Sequence, residues 1–146
     1  MENRFFPLFV DLNGKDALVV GAGKIALRKV KTLLEYGANV KVVTKEIREE
    51  EFFNLKNIDI KIGEFDETLL ENIFIVVAGT DNPEVNKKIF DICNRKNILV
   101  NNITSKTEMN CRFASILETP EYQIAISAKG NPSKSKNLKD KLKNLI

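Results

Sequence analysis

The segment from Lys15 to Val43 limits what this chain can fold into more than any other. A short apolar, β-branched run, Lys15-Asp16-Ala17-Leu18-Val19-Val20, breaks at Gly21-Ala22-Gly23 and continues as Lys24-Ile25-Ala26-Leu27-Arg28-Lys29-Val30-Lys31-Thr32-Leu33-Leu34. The apolar period changes from strand to helix at the glycines. Ile25, Ala26, Val30, Leu33 and Leu34 form one stripe, with Arg28, Lys29 and Lys31 on other faces. Gly37 suits the left-handed position that ends many helices, and Asn39 to Val43 supplies a second strand. Together these make a β-α-β unit. Inside it, Gly21-x-Gly23-x-x-Ala26 has the spacing that seats a pyrophosphate. Gly21 permits the tight turn, Gly23 lets backbone approach the phosphates, and Ala26 lets helix and strand pack closely. The first N–H groups of the helix then face the anion.

The alternation continues along the chain. Glu46 to Leu55 reads as a weakly amphipathic helix, Asp59 to Ile62 as a strand, and Thr68 to Glu71 as a helical turn. Ile73 to Ala78 has no polar alternation, as a parallel strand covered on both faces requires. Gly79-Thr80-Asp81-Asn82-Pro83 turns the chain, with Asp81 or Asn82 placed to cap a helix that carries Val85, Ile89, Phe90 and Cys93 inward. Ile98 to Val100 is a further strand ending at Asn101-Asn102. Strands alternating with helices predict a Rossmann-type, doubly wound parallel α/β sheet over residues 1–112. Gly79, Thr80 and Asp81 then lie with Asn102 and Thr104 at strand ends, where such folds bind ligands. After Thr104 the style changes. Phe113 to Leu117 and Tyr122 to Ser127 read as two strands, and Ser133 to Ile146 as a Lys-rich helix with a thin stripe at Leu138, Leu142 and Leu145.

Composition removes several chemistries. The 146 residues contain no histidine, and Cys93 and Cys111 have no C-x-x-C spacing, so a zinc site and a Ser-His-Asp triad are excluded and no metal site is expected. No stretch approaches the roughly 20 apolar residues of a membrane span, and Glu2 and Arg4 precede only a short apolar run. A cytoplasmic protein without a membrane partner is expected. The net charge of +3 says little, but Lys129, Lys134, Lys136, Lys139, Lys141 and Lys143 face only Asp140. That tail suits either a polyanion or a solvated helix face. Without a recognition motif, nucleic acid is not expected. At the end of the second strand the run reads Val43-Thr44-Lys45-Glu46. Glu46 suits ribose hydroxyls and Lys45 a 2′-phosphate, which leaves NAD and NADP both open.

Phe6-Pro7-Leu8-Phe9-Val10-Asp11-Leu12 and the glycine motif followed by Arg28-Lys29 resemble the opening of the precorrin-2 dehydrogenase and sirohydrochlorin ferrochelatase family. The resemblance runs on through Gly79-Thr80-Asp81-Asn82-Pro83-Glu84-Val85-Asn86, Leu99-Val100-Asn101 and Ile124-Ala125-Ile126-Ser127. It implies an enzyme that uses NAD to oxidise precorrin-2, a tetrapyrrole, to sirohydrochlorin, sometimes also inserting iron. A non-catalytic dinucleotide- or tetrapyrrole-binding protein of the same fold and a bifunctional dehydrogenase and ferrochelatase are the alternatives. The resemblance also implies a homodimer, with residues 113–146 as a dimerisation segment and the family's C-terminal helical domain largely absent. Cofactor contacts fall on Gly21, Gly23, Lys24, Ile25, Lys45, Glu46, Gly79, Thr80 and Asp81, and substrate contacts on Asn102, Ser127 and Lys129. The family's acid/base aspartate is replaced here by Thr104, with Glu108 as a substitute carboxylate. The family's Ser-x-Gly-Gly stretch is also altered, to Ser127-Ala128-Lys129-Gly130.

Overall fold

A computed structural model describes residues 4–146, which form two compact units, the first running to Cys111 and the second starting at Arg112. The first unit is a parallel five-stranded sheet. Its strands are β1 (Asp16–Val20), β2 (Asn39–Thr44), β3 (Ile58–Ile62), β4 (Ile75–Ala78) and β5 (Leu99–Asn102), in the order β3-β2-β1-β4-β5. Helices α1 (Lys24–Glu35) and α2 (Pro83–Arg95) make the crossovers β1 to β2 and β4 to β5. The reversal of strand order at β1 and β4 is the switch point of a doubly wound fold, the place where ligands bind at the carboxyl ends of the strands.

Burial explains why these residues choose these elements. β1 and β4 are buried on both faces apart from Asp16, because helices and loops cover the sheet on either side. On one side Leu18, Val20, Val76, Ala78 and Val100 of the sheet pack with Ile89, Ile92 and Cys93 of α2. α1 buries Ala26, Leu27, Val30 and Leu33. Leu27, not Ile25, takes the inward place, and Ile25 stands 40% exposed beside the glycine turn. The expected helix from Glu46 to Leu55 is only a 3-10 turn over Glu50–Asn54. The Thr44 hydroxyl donates to the Glu46 carbonyl (2.7 Å), so a side chain takes a carbonyl that a helix starting at Glu46 would use. At α2 the open choice of cap falls on Asn82, whose Oδ1 accepts from the N–H of Glu84 (3.0 Å) and Val85 (3.3 Å). Asn82→Ala is expected to cost about 1 kcal/mol, read as a lower urea midpoint at unchanged slope.

The second unit is a two-stranded antiparallel sheet, β6 (Ser115–Glu118) and β7 (Gln123–Ile126), followed by α3 (Pro132–Lys143). Its hairpin turn is closed by Thr119, whose Oγ1 accepts from the Tyr122 N–H (2.9 Å). The helix meets β6 through Ser135, which is buried and bonded to Ser115 (3.1 Å). Leu138 and Leu145 of the expected apolar stripe stay exposed, at 47% and 78%.

Candidate functional site

Gly21 and Gly23 do different physical work. Gly21 has φ +109°, in the left-handed region, and a Cβ there would overlap the Gly79 carbonyl oxygen and lie 2.6 Å from its carbon. It is required for the fold, because the backbones at the ends of β1 and β4 touch. Gly23 has an ordinary φ of −90°, and a Cβ there would meet nothing within 4 Å. Open space beside backbone at the mouth of a helix is what an approaching pyrophosphate needs. The helix end agrees. α2 and α3 are capped by Asn82 and Asn131, whereas α1 receives no side-chain cap and has no acid in its first turn. Its amino end therefore presents donors to an anion. Lys24, at the first position of α1, and Ile25 are both exposed there.

The neighbouring strands supply the walls. Lys45 and Glu46 leave β2 on the carboxyl edge, with Lys45 paired to Glu64 (3.1 Å). Glu46 is paired to Arg48 (2.9 Å), which also reaches Asp81 in the β4–α2 loop (2.9 Å). Both carboxylates hold the guanidinium above its ordinary pKa. Because β1 lies between β2 and β4, this bridge joins the two loops that flank the glycine turn. Arg48 carried no motif signal in the sequence, and the bridge depends on loop geometry that a periodicity cannot show.

At β5 the side chains form a connected set. Asn102 is buried, and its Oδ1 accepts from both the N–H and the hydroxyl of Thr104 (3.0 Å each). Asn102 Nδ2 is buried and finds no acceptor among the described residues. Thr104 is exposed, and its hydroxyl also accepts from Asn86 Nδ2 (3.1 Å). Glu108 points its carboxylate to Lys87 on α2 (3.6 Å). Asn86, which links Thr80 to Thr104, carries no motif signal in the sequence. The available signal was a polar residue three positions before Ile89 and seven before Cys93, on the inward stripe of α2.

No thiol nucleophile is available. Burial pushes Cys93 up to about 12 and Cys111 up to about 11. Burial, helped by the Arg28 charge and opposed by Cys111, lowers the Lys29 ammonium to about 8. Ser127 and Lys129 lie in the second unit between β7 and α3, Lys129 in the left-handed region at φ +54°. Among the described residues no His/Cys/Asp/Glu group has the arrangement of a metal site, and no helix is long and apolar enough to cross a membrane.

Comparison with known proteins decides the family. A family described as putative NAD(P)-binding matches residues 8–115. The siroheme synthase of Actinobacillus succinogenes is 34% identical over 97% of this chain and 30% of that protein. The siroheme synthase of Blochmanniella floridana is 36% identical over 98% of this chain and 32% of that protein. Among solved structures, SirC, a precorrin-2 dehydrogenase, superposes with a TM-score of 0.80 at 28% identity, covering 97% of this chain and 71% of that one. The chain belongs to the NAD(P)-binding family of siroheme synthases and precorrin-2 dehydrogenases. As a member of that family it carries the nicotinamide-dinucleotide fold, and it spans less than a third of the length of these two siroheme synthases.

Proposed function

We propose that this chain binds NAD at the Gly21 to Ala26 turn and uses it to oxidise precorrin-2 to sirohydrochlorin, acting as a cytoplasmic homodimer. The observation that carries the reading is the uncapped amino end of α1 beside the open face of Gly23, in a chain whose fold superposes on a precorrin-2 dehydrogenase. When bound, the nicotinamide accepts the hydride. The chain's own residues do the rest. The N–H groups of the α1 amino end bind the pyrophosphate, and the loops at Lys45-Glu46 and Gly79-Thr80-Asp81 hold the nucleoside. The Asn102 to Thr104 loop borders the reacting end of this unit, with Asn102 on the substrate side, and in the second unit Ser127 and Lys129 are the groups suited to a carboxylate-bearing substrate. Precorrin-2 loses a hydride and a proton, and the proton leaves to solvent, since no carboxylate stands at position 104.

A second reading, a protein that binds dinucleotide or tetrapyrrole without turnover, is favoured by one observation. The Thr104 hydroxyl has its proton committed to Asn102 and offers no base. Incubating the protein with precorrin-2 and NAD, while following sirohydrochlorin absorbance, separates the two. One NADH per sirohydrochlorin is expected from the enzyme, and calorimetric NAD binding without product from the binder. Insertion of iron into sirohydrochlorin, as substrate metal, would need an acceptor for the macrocycle's protons, and on the loop after Thr104 the carboxylate present is Glu108.

The dimer rests on the second unit. A two-stranded sheet is marginal by itself, and this one leaves Tyr122 exposed at 60% with Phe113, Ile116 and Ile124 only half-buried. Light scattering at micromolar concentration is expected to report twice the mass of the chain, and a monomer would sink the dimer.

A further inference from the structure

We propose that Asn86 is a positioning residue for hydride transfer, holding the Gly79-Thr80 turn and the Thr104 loop in register through one buried side-chain amide. The proposal rests on the dehydrogenase reading and concerns how its two ligand-side loops are aligned. Asn86 is fully buried in the first turns of α2. Its Oδ1 accepts from the Thr80 N–H (3.1 Å) and from the Thr80 hydroxyl (2.7 Å). Its Nδ2 donates to the Thr80 carbonyl (2.9 Å) and to the Thr104 hydroxyl (3.1 Å). The amide thus uses both donors and both acceptor positions, all on residues of the two loops.

The direction of each bond matters. Thr104 Oγ1 accepts from Asn86 and so turns its own proton to Asn102 Oδ1 (3.0 Å), which also takes the Thr104 N–H (3.0 Å). A chain of defined polarity therefore runs from Thr80 through Asn86 and Thr104 to Asn102, from the end of β4 to the end of β5. Asn102 is itself buried at the carboxyl end of β5. A helix-packing role alone would be served by an apolar residue of the same shape. Only an amide satisfies a backbone N–H, a backbone carbonyl and two hydroxyls at once, and a fully satisfied buried network fixes a single geometry. Alignment of hydride donor and acceptor is sensitive to such geometry, and a displacement of about 1 Å can cost roughly 100-fold in rate.

Asn86→Asp tests this with little change of shape. The carboxylate keeps the acceptor toward Thr80 and loses both donors. Burial raises the pKa of the introduced carboxyl, and its protonated form regains one donor toward Thr104 or the Thr80 carbonyl. The expected result is a folded protein whose NAD affinity stays within about threefold of wild type. Its kcat for precorrin-2 oxidation falls by up to about 100-fold at alkaline pH and recovers as pH is lowered. Wild type lacks that recovery. A folded Asn86→Asp protein with wild-type kcat at all pH values, or with a loss that pH does not change, overturns the proposal while leaving the dehydrogenase reading intact. If Asn86→Asp does not fold, Thr104→Val, which removes only the exposed hydroxyl, is expected to lower kcat by a similar factor with unchanged NAD affinity; an unchanged kcat overturns the proposal. A wild-type protein that binds NAD but makes no sirohydrochlorin overturns the dehydrogenase reading and the proposal with it.

Discussion

Gly23→Val is expected to weaken NAD binding by at least about 100-fold, or ~2.7 kcal/mol, while the protein stays folded. Gly21→Val, two residues earlier, is expected to prevent folding. The contrast follows from what each Cβ would meet. At Gly23 the backbone is in an extended conformation that any residue adopts, and the added side chain enters open space. Its branched methyls then stand where phosphate oxygens must come to the N–H groups of α1. Valine is also a poorer helix cap than glycine, which adds a destabilisation of about 1 kcal/mol at most, visible as a small fall in Tm. At Gly21 the side chain would need a left-handed φ and would overlap the Gly79 carbonyl, with two strand ends in the way. Neither backbone can retreat, since Gly21 N–H is bonded to Val43 O and Gly79 N–H to Val20 O, each at 2.8 Å. Circular dichroism and calorimetry on the two variants check both halves. A folded Gly23→Val protein that binds NAD as wild type does would move the dinucleotide elsewhere.

The parallel sheet was legible because its strands and helices keep strict periods. β1 and β4 are written as apolar runs that survive in the fold, the α1 stripe survives at Ala26, Val30 and Leu33 with Leu27 in place of Ile25, and Asn82 and Pro83 mark the start of α2. Where the expectation failed, a side chain competed with the backbone. Thr44 takes the Glu46 carbonyl, and the helix from Glu46 is replaced by a loop held through Arg48. The site was legible only as far as backbone chemistry defines it. Gly21 and Gly23 are read from a turn and a helix mouth, which are local. The links Arg48 to Asp81 and Asn86 to Thr104 join residues 33 and 18 positions apart, and only the strand order brings them together. Spacing along a chain carries no signal for such pairs. Asn86 hid further because an amide on an apolar stripe reads as a flaw in the pattern until its four partners are seen.

Thr104→Asp is the variant expected to gain activity. In the proposed reaction the departing proton has no local acceptor, because a hydroxyl is not a base at neutral pH and this one already donates to Asn102. The position is exposed, so an introduced carboxyl is ionised at neutral pH, near the ordinary aspartate value of about 4. Its oxygens keep the hydrogen bond from Asn86 Nδ2, and repulsion from Asn102 Oδ1, which loses the hydroxyl proton, turns the free oxygen outward to the ligand side. A well-placed base contributes about 10²- to 10⁴-fold, and one placed without further adjustment is expected to raise kcat by no more than the bottom of that range, roughly 10- to 100-fold. Substrate KM should change little, since the group acts on a proton in flight and not on ground-state binding. The rate should also gain an acid limb, lost as pH falls through the carboxyl's pKa, which wild type lacks. Glu108→Gln is the control for a base supplied from elsewhere on the loop. Its carboxylate lies 3.6 Å from Lys87 Nζ on α2, so its loss is expected to leave kcat unchanged. A flat response to Thr104→Asp together with inactivity of Glu108→Gln would reassign the base to Glu108, and would mean that the loop reorganises when substrate binds.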